Sequence, residues 1–127
     1  MDYNMVGWFE VPVTDMERAI TFYQTVFNVK LERHEMGDLD MAWFPFFSDA
    51  PGAMGALVRH AEWYKPSADG TLVYFNSRGK DLDDELSRIE AAGGTVLQPK
   101  TLIAESYGYM AIFFDSEGNR VALHSME

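Results

Sequence analysis

Apolar and polar residues alternate along the chain from Val6 to Val13. Gly7, Phe9, Val11 and Val13 fall on one face, and Val6, Trp8, Glu10 and Pro12 on the other, which predicts a strand with one face on a core. The period then lengthens. Met16, Ala19, Ile20, Tyr23, Val26 and Phe27 recur at helical spacing and form one apolar stripe, and Thr14 with Glu17 three residues later reads as a capping box at its start. The helix is expected to end near Asn28. Three shorter strand-like segments follow, the last of them preceded by the turn Asp49-Ala-Pro-Gly52.

The same order of periods returns in the second half. Thr71 to Asn76 predicts a strand. Asp81 then caps a helix whose stripe is Leu82, Leu86 and Ile89, and Gly93-Gly94 supplies its stop. Three strand-like segments again follow, with Asp115-Ser-Glu-Gly118 as the last turn. Helix opening, turn and final strand all recur at an offset of 66 residues, as in Gly55-Ala-Leu-Val58 against Val121-Ala-Leu-His124. The predicted architecture is α+β, a β-α-β-β-β unit present twice. The two copies (about residues 4–62 and 70–127) form one domain over residues 1–127, and Ala61 to Gly70 is a polar linker between them. Each four-stranded sheet, covered by a helix on one face, leaves its other face free, so two units side by side cup a cavity.

Composition narrows what that cavity serves. With 127 residues, 47% of them apolar and 14% aromatic, the chain has the material for a real core. Twenty Asp and Glu against ten Lys and Arg give a formal charge of -10, a field that disfavours nucleic acid and anionic membrane surfaces as partners. There is no Cys, which excludes disulfides, thiolate nucleophiles and Cys-ligated zinc. Without a basic and then apolar leader pattern at its start, the chain is expected to be cytoplasmic. No phosphate-binding Gly-rich loop or Gly-x-Ser-x-Gly elbow occurs.

Trp8 to Tyr23, Gly93-Gly-Thr-Val96 and Asp115-Ser-Glu-Gly-Asn-Arg-Val-Ala-Leu-His124 resemble the vicinal oxygen chelate superfamily, the glyoxalase, bleomycin resistance protein and extradiol dioxygenase group. The helix opener matches at Val13, Asp15, Phe22 and Tyr23. The last turn matches at Asp115, Gly118 and Asn119, with Ser116 where the family has Pro. The resemblance implies paired βαβββ modules, a homodimer, and in the enzymatic members a divalent metal held in the cup. Carried over position by position, the family's metal ligands fall on Trp8, Ala56, Leu72 or its neighbour, and Ala122, none of which offers a ligating side chain. The expectation is therefore a protein without the usual metal site and without a required cofactor.

Two polar residues are expected to face the cup, Glu10 and His124, and as a pair they could exchange a proton. Trp8, Trp43, Met54, Tyr74, Asn76, Tyr109 and Ala122 are the expected ligand-binding residues, with Trp43 and Tyr109 at the same repeat position. His34 and His60 lie in polar stretches and are expected to be solvated. Asp83-Asp84-Glu85 reads as a charged helix face. Two functions follow: metal-free binding of a small cationic or aromatic molecule, or a glyoxalase-like lyase or dioxygenase-type enzyme working through Glu10 and His124, with or without a divalent metal.

Overall fold

A computed structural model describes residues 2–127. The elements are β1 (Trp8–Pro12), α1 (Met16–Phe27), β2 (Glu32–Met36), β3 (Leu39–Trp43), β4 (Met54–Arg59), β5 (Tyr74–Asn76), α2 (Asp83–Ile89), β6 (Thr95–Ala104), β7 (Gly108–Phe114) and β8 (Arg120–Ser125). The order is the predicted β-α-β-β-β, twice. Helix α1 buries Met16, Ala19, Phe22, Tyr23, Val26 and Phe27, while Ile20 is half-buried. Its N-cap is Asp15, whose Oδ1 accepts from the Arg18 amide at 3.1 Å, one residue later than the expected capping box at Thr14. The amide of Thr14 is used elsewhere, as described below. Asn28 ends the helix in the left-handed conformation with φ 53°.

Helix α2 is shorter and starts later than expected. Leu82 occupies the N-cap position and makes no side-chain cap. Asp81 Oδ1 accepts from the Asp83 amide at 2.9 Å and pairs with Lys100 Nζ at 2.9 Å. The expected charged face is only two residues wide. Asp83 and Asp84 are exposed, but Glu85 is fully buried and accepts from Ser77 Oγ at 2.6 Å and the Arg78 amide at 2.9 Å. A carboxylate can be buried there because both of its oxygens are hydrogen-bonded, and in return it fastens the loop after β5.

Each module forms a four-stranded sheet, in the order β1-β4-β3-β2 and β5-β8-β7-β6. The first strand pairs parallel with the last, and the other pairings are antiparallel. Register corrects the constant offset read from the sequence. The last strands keep 66, Ala56 matching Ala122. Glu10 stands beside Ala56 and Tyr74 beside Ala122, so the first strands are related by 64. Trp43 stands beside Ala56 and Ile112 beside Ala122, so the third strands are related by 69. The β6 strand carries irregular pairing with β7 at three places, and this longer hairpin absorbs the difference.

The helices pack on one side of the two sheets over a core that draws on both modules. Phe22, Tyr23 and Val26 of α1 share it with Leu57 of β4, Ile89 of α2, Phe113 of β7 and Leu123 of β8. Hydrogen bonds clasp the modules across this core. Tyr23 Oη donates to Asp115 Oδ2 at 2.6 Å, and burial, followed by the adjacent Asp115 carboxylate, pushes the phenol well above its ordinary range. Glu117 accepts from the amides of Thr14 and Asp15 and from the Arg18 guanidinium at 2.7 to 3.0 Å, so the turn of module 2 caps the helix of module 1. Asn119 Nδ2 donates to the Pro12 carbonyl at 2.7 Å. The Asp115-Ser-Glu-Gly-Asn119 turn is thus one link between the modules, and the first strands β1 and β5 border the site.

Candidate functional site

Among the described residues β1 pairs only with β4, and β5 only with β8, and a cleft lined by residues of β1 and β5 lies between the two sheets. Its volume is about 780 Å³, within the range of sites that bury a small organic molecule. Phe9, Phe27, Phe44 and Phe75, with ring centroids 5.2 to 5.7 Å apart, line its core side. Trp8, Glu10 and Met54 line it from module 1, and Leu72, Tyr74, Asn76 and Arg120 from module 2. Pro45, Pro51, Gly52 and Ala53 of the β3–β4 connection and Arg78 of the β5–α2 loop also border it. The Arg78 guanidinium lies 5.1 Å from the centre of the Phe47 ring, which ties those two loops together.

Glu10 does face away from the helices, as alternation predicts. Its Oε1 accepts from Tyr64 Oη at 2.6 Å and its Oε2 from Trp8 Nε1 at 3.1 Å. Tyr64 comes from the linker and packs against Met41, Ala56 and Val58, so the linker covers part of the free face of module 1. The hydrogen bond to Glu10, and then burial, raises the Tyr64 phenol. Trp8 meets Trp43 edge-on with centroids 5.5 Å apart, and Trp43 lies behind it, outside the cleft lining. His34, expected to be solvated, is half-buried with its ring 4.3 Å from that of Trp43. His60 accepts from the Glu62 and Trp63 amides and shapes the linker turn.

The structure does not bring His124 to Glu10. His124 Nε2 lies 2.6 Å from the Tyr107 carbonyl, and the residue is not part of the cleft lining. Ala122 is buried beside Tyr74, also outside the lining. Tyr109 lies on the other face of its sheet, packed against the helix-side core with Lys100 Nζ 4.5 Å from its ring centre. The three-residue drift in β7 puts Ile112 where the constant offset had placed Tyr109. Trp8, Glu10, Met54, Tyr74 and Asn76 are therefore the expected residues that share the cleft. Tyr64, Lys65, Arg78 and Arg120 were not anticipated. Tyr64 sits in a linker without periodicity, and the three cations carried no signal in a chain dominated by acidic residues.

Two βαβββ modules joined edge to edge around a cleft define the class of the fold. The family model of the Glyoxalase/Bleomycin resistance protein/Dioxygenase superfamily matches residues 5–123, and the chain belongs to that superfamily. A glyoxylase-like domain-containing protein of Didymella fabae is 28% identical over 128 residues, covering 95% of this chain and 93% of that protein. Among solved structures, a glyoxylase/bleomycin resistance protein/dioxygenase domain from Frankia sp. EAN1pec superposes with a TM-score of 0.73 at 17% identity, over 98% of both chains. A mutant glyoxalase I from Zea mays gives 0.73 at 18% identity over 94% of this chain. The match covers 45% of the maize chain, so this protein spans about half of that enzyme's length.

The divalent metal implied by the family resemblance can be tested against the side chains present. Trp8 offers only an indole N–H, already donated to Glu10, and Leu72 is apolar. Ala56 and Ala122 are fully buried methyl groups on β4 and β8. This donor set does not fit a divalent ion at the family's position, and among the described residues no three His, Asp or Glu side chains converge elsewhere.

Proposed function

We propose that this protein binds a small, largely aromatic molecule in the cleft between β1 and β5 and does so without a divalent ion. The observation that carries the reading is the cleft itself, a cavity of about 780 Å³ whose Trp8, Tyr74, Phe9 and Phe75 present flat apolar surface. Trp8 and Tyr74 stand 37% and 49% exposed, large apolar area that a bound ring would remove from water. The lining favours an aromatic molecule over a cationic one. Among the described residues Glu10 is the only carboxylate lining the cleft, and both of its oxygens are already engaged. The alternative, an enzyme using Glu10 with His124, has no geometric support, because the two side chains have separate partners.

Two measurements test the reading. Uncharged 1-naphthamide, followed by Trp fluorescence and by amide shifts in NMR, is expected to perturb Trp8, Met54 and Tyr74. Trp8→Ala should weaken its binding roughly fivefold to tenfold, the size of one lost aromatic contact. Shifts confined to other regions would overturn the site. Adding Ni, Zn, Mn or Fe(II) to metal-free protein should leave the melting temperature unchanged, since a ligand that binds the native state raises it in proportion to RT ln(1 + [L]/Kd). Stoichiometric metal together with a clear upward shift would overturn the metal-free reading.

A further inference from the structure

The distribution of cations in the cleft is at odds with the acidity of the chain. Of the ten Lys and Arg, Arg18, Arg33, Arg88 and Lys100 are paired with carboxylates. Among the described residues the other six have no carboxylate partner, and three of these, Lys65, Arg78 and Arg120, line the cleft. In a chain with twice as many acidic as basic residues, the described residues thus put three cations without a carboxylate partner and one carboxylate around this cleft.

Arg120 is the best placed of the three. Its Nε is shut off from solvent with no acceptor, and its Nη2 has only a long 3.4 Å contact with the Gly70 carbonyl. Arg120 is half-buried, lines the cleft and has no carboxylate partner among the described residues, so an oxyanion presented to its guanidinium from the cleft would gain charge-assisted hydrogen bonds. The repeat makes the placement sharper. In module 1 the position equivalent to Arg120 is Met54, which stands directly beside Trp8 in the β1–β4 register. One wall of the cleft is therefore the apolar pair Trp8 and Met54, and the wall related to it by the repeat is Leu72 and Arg120. Arg78, stacked on Phe47 and tied through its amide to Glu85, adds a second unpaired guanidinium to the lining.

Resting on the proposal that the cleft is a binding site, we infer that its ligand carries an anionic group, a carboxylate or a phosphate. That group sits at Arg120, and the aromatic part lies against Trp8 and Met54. The overall charge of -10 repels an anion at long range, but this repulsion is screened over about 10 Å at 0.1 M salt, whereas the guanidinium acts in contact.

Three compounds that share the naphthalene ring test this: 1-naphthoate, neutral 1-naphthamide and cationic 1-naphthylmethylamine, titrated by calorimetry and mapped by NMR. Naphthoate is expected to bind roughly tenfold or more tightly than the other two, the size of one charge-assisted hydrogen bond. Arg120→Met, which installs the residue of the other module, should abolish that preference while leaving naphthamide binding in place. Arg78→Gln, a change at an exposed side chain, should reduce the preference severalfold and keeps the test open should the Arg120 variant fold poorly. Equal binding of all three compounds, or tightest binding of the amine, would overturn the anion inference and leave the cleft proposal standing. No binding by any of them would overturn both.

Discussion

Phe22→Ala is expected to lower the stability of the fold by about 3–5 kcal/mol, the usual range for truncating a fully buried phenylalanine. Phe22 projects from α1, has no exposed surface, and packs edge-on against Tyr23 and, 6.2 Å between centroids, against Phe113 of module 2. Its ring also fills the space over Gly94, where an added Cβ would come within 2.8 Å of it. The cavity left by Ala is bounded by elements of both modules, so it cannot collapse by moving one of them alone. The mode of unfolding is as informative as its size. All three tryptophans, Trp8, Trp43 and Trp63, lie in module 1 or the linker, so fluorescence reports that half while far-ultraviolet circular dichroism reports both. Urea transitions followed by the two signals should coincide in the native protein and in Phe22→Ala. Separated transitions would show that the modules are independent folding units.

Glu117→Gln is expected to remove about 2 kcal/mol at neutral pH, and the loss should depend on pH in a defined direction. The carboxylate side chain has no exposed surface and receives the Thr14 and Asp15 amides, the Arg18 guanidinium and the Ser116 hydroxyl. Burial pushes its pKa up, but the Arg18 hydrogen bond, the two amides and the hydroxyl together overcome burial and hold it below the ordinary glutamate value. A carboxyl whose folded pKa is depressed stabilises the fold above its unfolded pKa, about 4.3. That contribution is lost as pH falls through the folded value. The stability difference between native protein and Glu117→Gln should thus be constant from pH 8 to about pH 5 and shrink below it. A difference that stays the same down to pH 3, by urea unfolding, would show that the carboxylate charge is not what the clasp uses.

How much of this was legible in the chain varies with the range of the interaction. The faces of β1 were readable because alternation alone assigns Phe9, Val11 and Val13 to one side and Trp8 and Glu10 to the other. The helix stripe of α1 was readable for the same reason. The N-cap was misplaced by one residue because Thr14 and Asp15 are both good caps, and the choice fell to Glu117, over a hundred residues away, which takes the Thr14 amide. Glu85 reads as one more surface acid beside Asp83 and Asp84. Only the fold shows Ser77 and Arg78 turned back onto it. Tyr109 was assigned to the cleft by a constant repeat offset, and the longer β6–β7 hairpin moved it to the other face. A shift by an odd number of residues reverses every side chain of a strand.

The sequence by itself determined the two βαβββ units, the faces of their first strands and the family. These follow from short-range periodicity and residue chemistry, which do not depend on how distant segments meet. The tertiary structure decided which candidates share a cavity. It joined Glu10 to Tyr64, separated it from His124, and placed Arg120 opposite Trp8 and Met54 in the cleft. Strand register and the seating of a linker set those outcomes, and both are fixed by the summed packing of the whole chain, with no local pattern to announce them.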